Sequence, residues 1–256
     1  FARGFRRVGK IYTTFPRESV VEGTYSEPLI LDSVSRATAE AAALGLWERD
    51  GTLLSKPDVP WNVIAGLTWG AATRSGRFSV LDFGGSLGSL LRQIDALLPF
   101  PMDAQWGIVE QPHFVERGRE LNLDPRLSFF DTISQCVDAI SPSSVLVSGV
   151  LQYLQDPFGI LEELNNTDAA IVIIDRLPVS DADEHYYIEQ KVPRHIYRAS
   201  YPSWVFSRRM LLTALERKFD VVAVFPSLDG SVRTLSRGRF SYMGFLLLPI
   251  SRGGLN

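Results

Sequence analysis

Short apolar runs alternate with helix-type segments along the chain from residue 77 onward. The runs predict five strands, at 78–83, 107–110, 127–130, 144–150 and 169–175. The segments between them predict helices at 87–98, 112–121, 132–140 and 157–164. Strands that alternate with helices of this length form a parallel sheet with right-handed crossovers.

The tail of the chain has a different pattern. A predicted helix at 210–218 is followed by two strands, at 221–225 and 240–248, with no room for a packed helix between them. We expect these strands to pair antiparallel, because a parallel crossover needs about a dozen or more connecting residues. The predicted fold is therefore α/β: a Rossmann-like sheet of seven strands, parallel except for one antiparallel strand in a C-terminal hairpin. This arrangement disfavours an all-parallel dinucleotide-binding fold.

Two domains are predicted: an N-terminal helical extension over residues 1–76 and the Rossmann-like domain over residues 77–256. Residues 33–48 are rich in Ala, Leu and Glu and predict a helix, and residues 61–72 predict a second one. We expect this extension to cap the ligand crevice. The first ten residues hold four basic side chains and no acid. They predict either a peripheral contact with an anionic membrane or polysaccharide, or a solvated chain end.

Composition narrows the function classes. The 256 residues are 45% hydrophobic and 21% charged, which is ordinary for a globular protein. A formal net charge of −3 argues against a general nucleic-acid-binding protein, which carries a basic excess. One cysteine and three histidines exclude an internal disulfide and disfavour a metal site. No apolar run approaches the ~20 residues that span a bilayer, so a cytoplasmic protein without a transmembrane segment is expected.

A glycine-rich turn follows the first predicted strand. Its cofactor-binding candidates are Asp82, Gly84, Gly85, Ser86 and Gly88, in the order acid-x-Gly-x-x-x-Gly. Glycines let the backbone turn tightly and approach a ligand closely. A dinucleotide fingerprint requires a third glycine where Ser86 stands. The carboxylate of Asp82 would repel a pyrophosphate but suits a ligand that carries an ammonium or sulfonium group.

Polar residues at the ends of the next strands extend this predicted site. Glu110, followed by Gln111, ends the second strand, where a carboxylate can accept hydrogen bonds from both ribose hydroxyls. Asp131 ends the third strand and is interpreted either as a partner of an adenine amino group or as a helix N-cap. Ser148 and Gln152 follow the fourth strand and either line the pocket or cap a helix. This set predicts binding of an adenosyl ligand.

The sequence resembles the class I S-adenosylmethionine-dependent methyltransferases. The segment Val-Leu-Gln-Tyr-Leu-Gln-Asp-Pro at 150–157 is similar to the loop after strand four in small-molecule methyltransferases. The blocks VLDFGGSLGS, WGIVEQPHFV, VSGVLQYLQDP, IIDRLPV and QKVPRHIYRASYPSW together resemble one uncharacterised family of methyltransferases often encoded among surface-polysaccharide genes. The resemblance implies the fold and the cofactor, and methyl transfer to a small-molecule or saccharide-type acceptor.

The acceptor residues are expected in the segment 175–204, which we interpret as a long connecting loop. A hydroxyl acceptor needs a base, and His195 is the first candidate because histidine titrates near neutrality. Tyr201 is the second catalytic candidate. The substrate-binding candidates are Tyr153, Arg176, Tyr197 and Trp204, with Tyr197, Tyr201 and Trp204 as a platform for a sugar ring or polyprenyl chain. For each of them the alternative is a structural role: a loop hydrogen bond, a core anchor or an ion pair.

Two other functions remain open at this point. One is a non-catalytic cofactor-binding module that partners a polysaccharide-assembly enzyme. The other is an NAD-linked oxidoreductase, which Ser86 and Asp82 disfavour.

Overall fold

The computed structural model describes residues 11–15, 28–191, 200–234 and 238–250. Their strands, in chain order, are β1 (Ile11–Phe15), β2 (Trp47–Arg49), β3 (Thr52–Leu54), β4 (Ser79–Phe83), β5 (Gln105–Val109), β6 (Leu127–Phe130), β7 (Ser144–Ser148), β8 (Ile171–Ser180), β9 (Tyr186–Lys191), β10 (Ser200–Ser207), β11 (Phe219–Thr234) and β12 (Gly238–Pro249). Their helices are α1 (Pro28–Leu44), α2 (Trp61–Thr73), α3 (Ser89–Asp95), α4 (Pro112–Leu121), α5 (Ile133–Ile140), α6 (Pro157–Asn165) and α7 (Arg208–Leu215).

Seven strands of the central sheet have the predicted directions. β6, β5, β4, β7 and β8 lie side by side and are all parallel. β12 pairs antiparallel with β8, and β11 pairs antiparallel with β12. The order β6-β5-β4-β7-β8-β12-β11 confirms the seven-stranded Rossmann-like sheet with one antiparallel strand. β11 and β12 are longer than the predicted strands, because their alternating burial continues past both ends of the apolar runs.

The helices between the parallel strands begin where the sequence predicts and are held by local caps. The side chain of Asp156 accepts a hydrogen bond from the Gly159 amide at 2.9 Å and begins α6. Thr132 caps α5 in the same way, accepting from the amide of Gln135. Apolar side chains of these helices pack on both faces of the sheet, which explains why β8 is buried along nearly its whole length.

The segment 175–204 is not a long loop, so this prediction is wrong. β8 continues beyond the end of β7 as far as Ser180, and β9 and β10 form an antiparallel extension beside it. Alternate positions of these strands are buried on one face, including Ile188 and Ser203, and this period of two is typical of a strand. β10 joins β8 at Phe206 and Ser207, and β1 pairs with β9. Residues 192–199 lie outside the described part.

The N-terminal region is only partly a separate extension. α1 ends at Leu44, before the predicted residue 48, because Gly45 takes a left-handed φ of +65° and the β2–β3 hairpin follows. α2 packs directly on the sheet: a Cβ at Gly66 would lie 2.8 Å from Cδ1 of Ile173 in β8. α2 therefore belongs to the same core as the strands, although the sequence boundary at residue 76 separates them. Within the described residues, no helix is long and apolar enough to span a membrane.

Candidate functional site

In the turn after β4, the glycines occupy positions where a side chain would be strained or would clash. Gly84 and Gly88 have φ angles of +72° and +77°, and a Cβ at Gly84 would lie 2.7 Å from Val150. A Cβ at Gly85 would lie 2.5 Å from the carboxyl carbon of Asp82. Ser86 also has a left-handed φ, +53°, which costs a residue with a side chain more than glycine. The turn therefore keeps the backbone beside the carboxylate of Asp82.

Asp82 is a buried carboxyl group at the tip of β4. It is 2% exposed, and the indole Nε1 of Trp106 donates a hydrogen bond to it at 2.9 Å. Burial, with a smaller contribution from the negative charge of Glu110, raises the pKa of Asp82 to about 7, and the Trp106 hydrogen bond acts in the opposite direction. The protonated and ionised forms of Asp82 are therefore both populated near neutral pH.

Glu110 lies at the tip of the neighbouring strand and is directed towards the glycine turn. Its carboxylate accepts hydrogen bonds from the amide of Gln111, at 2.8 Å, and from the amide of Ser86. Burial raises the pKa of Glu110 above its ordinary value, and these two amides act in the opposite direction. The structure thus brings together Asp82, Glu110 and the glycine turn at one sheet edge, as the sequence predicts for parallel strands.

Of the remaining predicted cofactor residues, some line the crevice and others do not. Ser148, at the tip of β7, lines the same crevice as Asp82. Asp131 is exposed and its carboxylate lies 3.8 Å from Arg119, while Thr132 is the helix N-cap. Gln152 is buried, and its Nε2 donates to the carbonyl of Gly149 at 3.0 Å. Its Oε1 is buried without a hydrogen-bond partner among the described residues.

We define the strand-tip crevice by its lining from both sides. The sheet contributes Asp82, Gly84, Gly85, Ser86, Ser148, Asp175 and Arg176, and the N-terminal region contributes Arg49, Asp50 and Asp58. The crevice has a volume of about 70 Å³, far below the ~300–1,000 Å³ of ordinary ligand sites. The β2–β3 hairpin therefore covers the crevice in this conformation.

Ion pairs join the hairpin to the sheet. Arg176 lies 2.7 Å from Asp50 and 2.9 Å from Asp229, and Arg49 lies 2.5 Å from Asp58. Arg176 has a left-handed φ of +59° in the middle of β8, a strain that accumulates at functional positions. The sequence predicts Arg176 but gives no signal for Asp50 or Asp229, because both are distant in sequence and meet Arg176 only through the fold.

Asp175 occupies the floor of this charged region. The hydroxyl of Ser227 donates to its carboxylate at 2.5 Å, and the pKa of Asp175 is raised above its ordinary value chiefly by burial. Asp175 and Arg176 are adjacent in β8, and their side chains have different direct partners: Ser227 for Asp175, and Asp50 and Asp229 for Arg176.

The predicted acceptor residues do not form one group. Tyr153 donates its hydroxyl to Oε1 of Gln190 at 3.1 Å, and its ring lies edge-on to Tyr201 at 5.2 Å. Trp204 lies on the other face of β10, where it stacks on Tyr187 with 3.8 Å between ring centroids. The predicted platform of Tyr201 with Trp204 is therefore wrong, since side chains at odd separation along a strand point to opposite faces. His195 and Tyr197 lie outside the described residues.

No protein-family model and no curated protein matches this chain. An O-methyltransferase from neocarzinostatin biosynthesis (NcsB1), in complex with S-adenosylmethionine and 2-hydroxy-5-methyl naphthoic acid, matches with 15% identity and a TM-score of 0.50; the match covers 88% of this chain and 59% of that chain. A 1,6-didemethyltoxoflavin-N1-methyltransferase from Burkholderia thailandensis matches with 13% identity and a TM-score of 0.47, covering 96% of this chain and 98% of that chain. The strand order and the first of these likenesses show that this chain has the Rossmann-like fold of the S-adenosylmethionine-dependent methyltransferases.

Proposed function

We propose that this protein transfers a methyl group from S-adenosylmethionine to a small-molecule acceptor. The observation that carries the proposal is that Asp82 and Glu110 lie at neighbouring strand tips, on either side of a turn in which Gly84 and Gly85 have no room for a Cβ. The fold, which this chain shares with a methyltransferase that binds S-adenosylmethionine, supports it. In open α/β sheets, ligands bind at the carboxyl ends of the strands, which is where these groups lie.

The charge of the strand-tip crevice fits a cationic cofactor. Four carboxyl groups line it, from Asp50, Asp58, Asp82 and Asp175, against two guanidinium groups, from Arg49 and Arg176. Both arginines are already paired with carboxylates. S-adenosylmethionine supplies a methyl group on a positive sulfonium, and it also carries an ammonium group. An acidic lining with little free positive charge favours such a ligand over a dinucleotide pyrophosphate.

Each residue of the crevice has a proposed task. Asp82 provides a negative charge for the ammonium group, and Glu110 accepts hydrogen bonds from the ribose hydroxyls. Gly84 and Gly85 let the turn pack closely on Val150 and Asp82, which holds the carboxyl group of Asp82 at the crevice. The tip of the β2–β3 hairpin, at Arg49 and Asp50, has to withdraw for the cofactor to enter, because the crevice is too small while the tip is in place. The base of the hairpin is anchored, since Glu48 is buried and pairs with Arg92 at 3.3 Å.

Methyl transfer is an in-line displacement, so the protein has mainly to align the donor and the acceptor. Among the predicted acceptor residues, Arg176 lines the strand-tip crevice, and the hydroxyl of Tyr153 interacts electrostatically with Arg176 and Asp50. Burial raises the pKa of Tyr153 above its usual range, so its hydroxyl stays protonated and can act as a hydrogen-bond donor. His195 as general base, with Tyr201 and Tyr197, and a saccharide-type acceptor in polysaccharide biosynthesis remain predictions from the sequence.

Calorimetric titration with S-adenosylmethionine, S-adenosylhomocysteine and NAD tests the cofactor. We expect both adenosyl ligands to bind and NAD not to bind. Glu110→Gln should weaken S-adenosylhomocysteine binding about 30-fold, because a charge-assisted hydrogen bond contributes about 2 kcal/mol. Asp138→Asn is the control, since Asp138 is exposed on α5 and does not line the crevice; its affinity should stay near wild type.

Turnover is tested separately with methyl-labelled S-adenosylmethionine and pools of small-molecule acceptors. Labelled product is expected, and its rate of formation should fall by up to about 30-fold in Glu110→Gln at a cofactor concentration below both dissociation constants. Binding of NAD without either adenosyl ligand would overturn the cofactor assignment. Binding of the cofactor with no turnover on any pool would instead favour the non-catalytic module.

A further inference from the structure

A second concave surface, the outer groove, lies beside the β9–β10 extension. Its volume is about 780 Å³, which is within the range of ordinary ligand sites. It is lined by the start of α6, the turn before β9, both strands of the extension and the start of α7: Gln155, Asp156, Pro157, Phe158, Asp183, Glu184, His185, Tyr186, Tyr187, Trp204, Phe206, Arg209 and Met210. It shares no lining residue with the strand-tip crevice.

The extension separates the two sites. Tyr201 and Gln190 are paired across the strands and lie on the face that contacts Tyr153. Trp204 and Tyr187 are also paired, and lie on the opposite face, in the outer groove. Because successive side chains of a strand point to opposite faces, the outer groove is a site of its own and not a branch of the crevice.

An ordered aromatic platform forms the wall of the outer groove. Trp204 and Tyr187 stack with 3.8 Å between ring centroids, and the indole Nε1 of Trp204 donates to the carbonyl of Leu154 at 3.1 Å. Phe158 continues the apolar surface and packs on Phe206, which is buried beneath it, with ring centroids 6.1 Å apart. Such a platform offers flat ring faces, against which the C–H groups of another ring can pack by dispersion.

Hydrogen-bond donors and acceptors surround this platform. Nδ1 of His185 accepts a hydrogen bond from the amide of Ser207 at 2.9 Å, and burial lowers the pKa of His185. The imidazole is therefore neutral at pH 7 with its proton on Nε2, which makes Nε2 a donor. Arg209 adds guanidinium donors. The carboxylates of Asp183 and Glu184 are exposed acceptors, and neither forms an ion pair within the described part of the chain.

We propose that the outer groove binds a neutral saccharide. Three carboxylates, from Asp156, Asp183 and Glu184, oppose an anionic ligand. The donors of His185 and Arg209 need acceptor atoms, which the hydroxyls of a sugar supply and a simple cation does not. A sugar ring has apolar C–H faces for the aromatic platform, and its hydroxyls both donate and accept hydrogen bonds. The inference goes beyond the proposed methyl transfer and does not depend on it.

Saturation-transfer NMR and calorimetry with methyl glycosides of glucose, galactose and mannose, and with N-acetylglucosamine, test this site. At least one of these sugars should bind with a millimolar dissociation constant. Choline serves as the cationic probe and cyclohexanol as the apolar ring, and both should bind more weakly. The double variant Asp183→Ala/Glu184→Ala should weaken sugar binding at least tenfold and leave the affinity for S-adenosylhomocysteine unchanged, which separates this test from that of the proposed function.

Asp103→Asn, at an exposed position outside both sites, is the control and should bind sugar like the wild type. Trp204→Leu should abolish sugar binding; if it disturbs folding, the double variant at two exposed positions decides the question. The proposal is overturned if none of the sugars binds, if choline or cyclohexanol binds more tightly than every sugar, or if the double variant leaves sugar affinity unchanged.

Discussion

The strand-tip crevice and the outer groove differ in how their residues are assembled. The crevice is small, strongly charged and closed by a hairpin from a distant part of the chain. The outer groove is about ten times larger in volume, aromatic and open, and most of its platform comes from two adjacent strands. Ligand binding by the charged groups of the crevice depends on pH and on the opening of the hairpin that covers them. An open aromatic surface depends on neither, so the two sites should respond to different changes.

The largest expected difference concerns pH. Asp82 has a pKa raised to about 7 and must be ionised to bind an ammonium group, so protonation competes with the ligand at acidic pH. The dissociation constant of S-adenosylhomocysteine should therefore decrease about tenfold from pH 6 to pH 8. In Asp82→Asn this decrease should be lost. Calorimetry at several pH values measures the effect.

The sugar affinity of the outer groove provides the contrast over the same range. Burial lowers the pKa of His185, so the sugar affinity should change less between pH 6 and 8 than the affinity for S-adenosylhomocysteine does. Equal pH dependence at both sites, or a pH dependence that persists in Asp82→Asn, would mean that Asp82 is not the titrating group.

A smaller effect is expected from the cover of the crevice. Asp50→Asn removes the charge that pairs with Arg176 at 2.7 Å, so the hairpin tip should open more often. The association rate of S-adenosylhomocysteine, measured by stopped-flow fluorescence, should increase about threefold to fivefold, in line with an exposed ion pair that contributes up to about 1 kcal/mol.

Asp168→Asn is the matched variant, because Asp168 forms an exposed ion pair with Arg74 at 3.3 Å, away from both sites. It should leave the association rate unchanged. An identical rate in Asp50→Asn and the wild type would show that the hairpin does not limit entry.

The smallest effect concerns the turn itself. Ser86 has a φ of +53°, so Ser86→Gly should relieve backbone strain, partly offset by the greater entropy of glycine in the unfolded chain. We expect a net gain of about 0.5 kcal/mol, which raises the melting temperature by about 1–2 °C. Ser86→Val should lower it, because a branched side chain is strained at this φ. Ser89→Gly, at the first position of α3, is the control and should also lower it; a decrease in Ser86→Gly would contradict the strain at this position.

The period of the apolar residues was enough to predict the seven-stranded sheet. Near-continuous apolar runs mark strands covered on both faces, as in β7 and β8, and a connection without a helix requires an antiparallel pair, as in β11 and β12. The same reasoning placed Asp82 and Glu110 together, because the ends of neighbouring parallel strands lie at one sheet edge. A few consecutive residues are enough to determine local geometry of this kind.

Tertiary contacts decided the rest. The polar and proline-containing residues after β8 looked like a loop, but pairing with β8 and β1 supplies the hydrogen bonds that make β9 and β10 strands. Because of that pairing, Tyr201 and Trp204 lie on opposite faces of β10, and the face with Trp204 forms part of the outer groove. Asp50 reaches Arg176 across 126 positions of sequence, and no local pattern encodes such a partner. The sequence alone therefore determined the sheet and its acidic strand tips, whereas long-range packing determined what covers the crevice and which side chains share a site.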